Sequence, residues 1–169
     1  QLVAAQVPGE RIRVIPAYLP VPPDMPSSLP DDLARFIGSR HPIISTYGWM
    51  LCRDPKGVEI HCFDECISAV RAMRTDYPDI GLVICLPSVG DPEIFASLVA
   101  LSRSLDTDDS VFFFTDSLEN GAALWRASDV LLRATTTDGD SVSLREAMSI
   151  GTRVVASDAV ARPPGVITY

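Results

Sequence analysis

The sequence predicts an α/β domain built on a parallel sheet with helices on both faces. From Asp31 onward, short apolar runs alternate with amphipathic stretches, the pattern of β-α units repeated around a parallel sheet. The chain has 169 residues, 47% hydrophobic and 21% charged, which suits one globular domain with its own core. The residues best suited to chemistry fall in loops after the predicted strands, and open parallel sheets bind ligands at that edge.

The first thirty residues hold Pro16, Pro20, Pro22, Pro23, Pro26 and Pro30. Proline removes amide donors and favours extended chain, so 1–30 reads as an interdomain linker and 31–169 as the domain proper. A helix is expected over 31–39, where Asp31 and Asp32 suit the positive end of its dipole. A buried strand follows at 42–46. Helix 63–74, capped near Asp64, turns Ile67, Val70 and Met73 toward the sheet at helical spacing. Strand 80–86 leads to helix 92–104, with Ile94, Phe95, Leu98 and Val99 inward. Strand 111–115, helix 118–127 and strand 130–133 complete the series. Gly48, residues 87–90 and residues 134–143 each follow a strand, so three loops converge on one rim.

Residues 138–158, DGDSVSLREAMSIGTRVVASD, carry the most chemistry. A turn-forming Asp-Gly-Asp-Ser run opens a helix whose free N–H groups and positive dipole end suit a phosphate. Glu146 lies one to two turns inside that helix, where its carboxylate can accept hydrogen bonds from sugar or ribose hydroxyls. Gly151 ends the helix, and 153–157 reads as a short buried strand.

This segment resembles the signature EGFGLPxLEAMAxGxPVVASD of retaining nucleotide-sugar glycosyltransferases of the GT-B fold, family 4 (group 1). Gly139, Glu146, Ala147, Met148, Gly151, Val154, Val155, Ala156, Ser157 and Asp158 fall in register, and Asp138 stands where the pattern has its first Glu. Val14, Ile15 and Pro16 resemble the family's "VIPN" start of the donor half, Ser128 to Val130 its "ADV", and Arg162, Pro163 and Gly165 an "RPEG" ending. The resemblance implies a Rossmann-like sheet, the C-terminal donor-binding half of a GT-B enzyme. It also implies transfer of a hexose from a UDP- or GDP-linked sugar to a glycan or lipid-linked acceptor, as in polysaccharide biosynthesis. Asp138 and Glu146 become the catalytic pair, Asp138 meeting the donor sugar and Glu146 the ribose. Gly48, Gly139, Asp140, Ser141, Val142 and Ser143 line the donor, with the amides of 140–143 on the diphosphate. The family's basic phosphate ligands lie in the loop after the first strand, where Arg53 and Lys56 occupy GWMLCRDPKG. No cofactor and no metal are implied, and an N-terminal acceptor-binding domain is expected as partner, without which the fragment transfers little.

Composition narrows the alternatives. A net charge of -8 opposes a nucleic-acid or acidic-membrane surface, since both are bound through Lys and Arg. No apolar run reaches the length of a membrane span, so any peripheral membrane association runs through the full-length protein only. The opening QLVAAQ has neither the basic flank nor the apolar stretch of a signal peptide. Cys52, Cys62, Cys66 and Cys85 form no CxxC pair and read as reduced thiols of a cytoplasmic protein. His61, Cys62 and Cys66 supply only part of a tetrahedral metal set. Arg133 either points into the cleft or pairs with Asp138 or Asp140, and Trp49 and Trp125 read as packing residues. No G-x-S-x-G elbow surrounds Ser141 and no G-x-G-x-x-G follows the first strand, which argues against a serine hydrolase and a dehydrogenase. A GT-B-like nucleotide-sugar epimerase and a non-catalytic nucleotide-binding module remain as other readings.

Overall fold

The computed structural model describes residues 7–13, 20–22, 24–25 and 28–169, so the Val14 to Pro16 run lies outside the described residues. A six-stranded sheet is formed by β1 (Ile43–Tyr47), β3 (Gly81–Cys85), β5 (Val111–Phe114), β6 (Val130–Arg133), β7 (Arg153–Ala156) and β8 (Ile167–Thr168). Its order is β5-β3-β1-β6-β7-β8, and every pairing is parallel. A separate pair joins β2 (Met50–Leu51) to β4 (Ser88–Gly90), immediately beyond the ends of β1 and β3. Sequence reading placed both segments in loops.

Among the described residues five α-helices cover the sheet. On one face α2 (Phe63–Met73) and α3 (Pro92–Ser104) bury Phe63, Ile67, Val70, Ile94 and Leu98 against Ile44, Leu82 and Ile84. The other face carries α1 (Asp31–Gly38), α4 (Gly121–Arg126) and α5 (Val142–Ser149), whose Leu33, Leu124, Trp125, Leu144 and Ala147 pack on Val83, Cys85, Leu131 and Val154. Parallel strands buried on both sides read as near-continuous apolar runs, and β3 is buried at every position.

Local signals account for most helix ends. Asp91 accepts from the amides of Glu93 and Ile94, and Pro92 sits at the first helical position. Asn120 caps α4 through the Ala122 amide. The expected cap near Asp64 is corrected: the N-cap of α2 is Cys62 in the left-handed region (φ 51), and Asp64 lies inside the first turn. Part of the proline-rich stretch packs on the domain. Val21 and Leu29 join the second core cluster, and Arg126 donates to the carbonyls of Pro22 and Met25.

The strand order positions the site. From β1 the chain moves outward through β3 to β5 over one face, then returns past β1 to β6, β7 and β8 over the other. Loops leaving the carboxyl ends of β1 and β6 therefore diverge to opposite faces and open a crevice between them, the switch point where such sheets take ligands.

Candidate functional site at the switch point

A cavity of about 340 Å³ occupies this crevice. Its floor is Tyr47 and Cys85, neighbours in register at the ends of β1 and β3. Its walls include Trp49 after β1, Leu118 and Trp125 around α4, and Val142, Ser143 and Glu146 of α5.

Helix α5 begins at Val142 because the preceding Asp-Gly-Asp-Ser turn reverses the chain. Ser141, its N-cap, makes no capping bond with its side chain; its Oγ lies 3.2 Å from Ser143 Oγ instead. First-turn amides thus keep their donors without a side-chain acceptor, beside a cavity that Val142 and Ser143 line. One turn on, the carboxylate of Glu146 is held from one side: Trp125 Nε1–H donates to Oε2 at 3.2 Å. Trp125 is only 2% exposed and meets Tyr47 edge-on at 6.2 Å, which fixes the indole and through it the carboxylate. Burial raises the pKa of the Tyr47 phenol, with Cys85 and Glu146 adding to the rise and Arg133 opposing it.

The other expected acid has different surroundings. The Asp138 side chain is 8% exposed and gripped by two guanidiniums: Arg133 donates from Nε (2.9 Å) and Nη2 (3.0 Å), and Arg162 donates from Nη1 (2.8 Å). Burial pushes its pKa up, but the hydrogen bonds and charges of both arginines outweigh this and hold it below the usual carboxylate range. Arg133 also donates to Tyr47 O at 2.7 Å, and Arg162 to Ser157 O, Ser157 Oγ and Thr135 Oγ1. The clamp ties together the ends of β1, β6 and β7. Of the outcomes open to Arg133, pointing into the cleft or pairing with Asp138 or Asp140, the structure shows the pair with Asp138. Arg162 was not expected in this role, and no local signal marks a partner so far along the chain.

Asp138, Gly139 and Asp140 line a different, more open hollow with Arg145 and Arg162. There Asp140 pairs with Arg145 at 2.6 Å, and the Gly139 amide donates to Asp138 Oδ1. The structure therefore brings Val142, Ser143 and Glu146 together at the cavity and sets Asp138, Gly139 and Asp140 behind them.

Gly48 is buried just after β1, where its amide donates to Cys85 O at 3.1 Å. A Cβ there would lie 2.7 Å from His61 Cδ2, so glycine is the residue that lets the imidazole close on the strand end. His61 stacks on Phe63 at 5.2 Å with Nε2 3.2 Å from Met50 O, and its buried Nδ1 has no partner among the described residues. Burial lowers its pKa, and Arg133 adds to the effect.

Arg53 and Lys56 stand off the cavity wall. Arg53 lies 3.4 Å from Asp91 and donates to Gly57 O. Lys56 is exposed on a turn closed by Asp54, which accepts from the amides of Lys56 and Val58. The packing role expected of Trp49 is corrected: its side chain is 61% exposed on the cavity rim, whereas Trp125 packs as expected. Among the described residues no three His, Cys, Asp or Glu side chains form a metal-binding group, and no helix is long and apolar enough to cross a membrane.

No known family model matches the sequence, and no curated protein does. Solved structures do. The α,α-trehalose 6-phosphate synthase of Burkholderia multivorans is similar with a TM-score of 0.64 at 17% identity, over 82% of this chain and 33% of that one. HepE of Anabaena, crystallised with UDP and glucose, has a TM-score of 0.63 at 16% identity, over 83% and 39%. The C-terminal domain of a group 1 glycosyltransferase, LpcC of Francisella tularensis, has a TM-score of 0.59 at 18% identity, over 77% and 68%. The chain thus spans about a third of the length of the first of these structures. At such identities the likeness is one of fold, and the fold is the C-terminal, Rossmann-like half of the GT-B glycosyltransferases.

Proposed function

We propose that this chain is the donor-binding half of a glycosyltransferase that takes a hexose from a UDP- or GDP-linked sugar. One observation carries the reading: an uncapped helix start and a carboxylate one turn behind it converge on the cavity at the sheet's switch point. Glu146 Oε1, the oxygen Trp125 does not engage, accepts from the ribose hydroxyls, and the first-turn amides of α5 meet the diphosphate. In transfer, an acceptor hydroxyl oxygen bonds to the anomeric carbon and passes its proton to the departing phosphate oxygen. The bond from that carbon to the diphosphate breaks, and the nucleoside diphosphate leaves with the electron pair. Negative charge grows on the leaving phosphate, where the fixed amide donors act most strongly. We further propose that the configuration is retained, that no metal or cofactor takes part, and that the acceptor is a glycan or lipid-linked precursor. A second domain supplies the acceptor site, and the whole protein works in the cytoplasm.

In this reading Asp138 holds the 134–141 loop against β1 and β7, with its carboxylate spent on Arg133 and Arg162. The same engagement favours a second reading, a nucleotide-binding module that transfers nothing. Calorimetry with UDP-glucose and GDP-mannose tests donor binding. A hydrogen bond to a charged group contributes about 1.5–3 kcal/mol, so Glu146→Ala should weaken the preferred donor by about tenfold or more. Equal heats for wild type and variant, or no heat from either, overturn the reading. Product formation by the full-length enzyme separates transferase from module.

A further inference from the structure

The arginine clamp and the cavity meet at Tyr47. A guanidinium is a planar, rigid fork, so fixing two of its nitrogens aims the third. Arg133 spends Nε and Nη2 on Asp138, and its Nη1 donates to Tyr47 O at 2.7 Å. Backbone pairing of β1 with β6 covers Ile44↔Val130 and Ser45↔Leu131 and stops short of Tyr47, so at the strand's end the Arg133 side chain takes the place of the ladder. The Tyr47 ring forms the cavity floor and meets Trp125 edge-on at 6.2 Å, and Trp125 donates to Glu146 Oε2 at 3.2 Å. An unbroken run of buried contacts therefore links Asp138 to Glu146.

We propose that Asp138 is a positioning residue for the donor: through Arg133, Tyr47 and Trp125 it sets the orientation of Glu146, so that the two acids act in series on one ligand contact. The inference rests on the donor-binding reading and goes beyond it, since the sequence resemblance puts Asp138 on the donor sugar itself. Its acceptor capacity argues against that direct contact. A carboxylate offers about four lone-pair sites. Arg133 Nη2 and the Gly139 amide donate to Oδ1, and Arg133 Nε and Arg162 Nη1 donate to Oδ2, which leaves nothing for a sugar hydroxyl. Asp138 also lines the open hollow beside Arg162, whereas Glu146 lines the cavity.

The test is calorimetry with UDP and UDP-glucose, and with GDP and GDP-mannose. The proteins are wild type, Asp138→Asn, Arg133→Lys, Trp125→Phe, and the first two variants each combined with Trp125→Phe, with folding checked by near-ultraviolet circular dichroism. Trp125→Phe keeps a ring and removes the indole N–H. Arg133→Lys keeps the charge but, as a point donor, cannot hold Asp138 and Tyr47 O together, and it carries the test where Asp138→Asn does not fold. In the series that binds, each single variant should weaken the bare diphosphate and its sugar-linked form alike, by about three- to tenfold. Each double variant should be no more than about twofold weaker than Trp125→Phe alone, since residues acting through one contact are not additive. A loss that spares the bare diphosphate puts Asp138 on the sugar and overturns the inference. Losses that multiply in the double variants overturn it too, as do folded Asp138→Asn or Arg133→Lys proteins with wild-type affinity. Each of these results leaves donor binding intact. Wild type that binds none of the four ligands sinks the donor reading, and the inference with it.

Discussion

Replacing Asp138 by Asn keeps the side chain's shape and removes its charge, which isolates the worth of the arginine clamp. The carboxylate is 8% exposed and its guanidinium partners 11% (Arg133) and 3% (Arg162), so little solvent is available to replace it. Removing one partner of a buried ion pair costs about 3–5 kcal/mol. Arg162 keeps its bonds to Ser157 and Thr135, Arg133 keeps Tyr47 O, and the amide oxygen still accepts from one arginine. The loss should therefore lie at the lower end, about 3 kcal/mol. With a urea dependence of about 2 kcal/mol per molar, the unfolding midpoint falls by about 1.5 M. The pH dependence has a definite sign. The folded-state pKa of Asp138 lies below its unfolded value of about 3.9, so the stabilisation is complete above that pH and fades as pH falls through the folded value. Urea melts of both proteins at neutral and acid pH measure this gap. A midpoint shift under about 0.5 M, or a gap that stays constant down into the acid range, refutes the clamp as a buried ion-pair device.

Gly48→Ala should destabilise the domain by about 1–3 kcal/mol, because its methyl group would press on His61 at 2.7 Å and dislodge a ring stacked on Phe63. A thermal melt within about 1 °C of wild type would contradict that. Among the thiols, burial pushes Cys62 to about 11 and Cys66 and Cys85 to about 12, and only Cys52 is half-buried. Titration with a thiol reagent should show Cys52 reacting in the native state and the other three only on unfolding; fast reaction of Cys66 would mean that the α2 face is open.

Much of the fold was legible because each main element repeats one apolar period for long enough to be read. Helix α3 carried its proline, its capping Asp91 and its inward Ile94 and Leu98 in a single stretch. The short strands β2 and β4 were illegible: two or three residues cannot display a period, and their pairing exists only because β1 and β3 end side by side. At the site, the helix start with Val142, Ser143 and Glu146 could be read from the turn and the spacing. The fate of Asp138 was legible in part: its pairing with Arg133 was among the expected outcomes, but its second partner, Arg162, is brought back to the loop only by the β7 to β8 connection. The ion pair of Arg53 was not legible for a similar reason, since its partner Asp91 lies beyond the next strand. Trp49 follows a buried strand, and nothing in its neighbours signals that the chain turns it outward.

In the proposed reading the cavity between the end of β1 and the start of α5 is the nucleotide site. Amide and indole chemical shifts of the chain, followed while UDP-glucose or GDP-mannose is added, test it most directly. Shifts centred on Tyr47, Trp49, Trp125, Val142, Ser143 and Glu146 are expected. Shifts confined to Asp138, Asp140, Arg145 and Arg162, or saturable binding that leaves the Trp125 indole unmoved, contradict it.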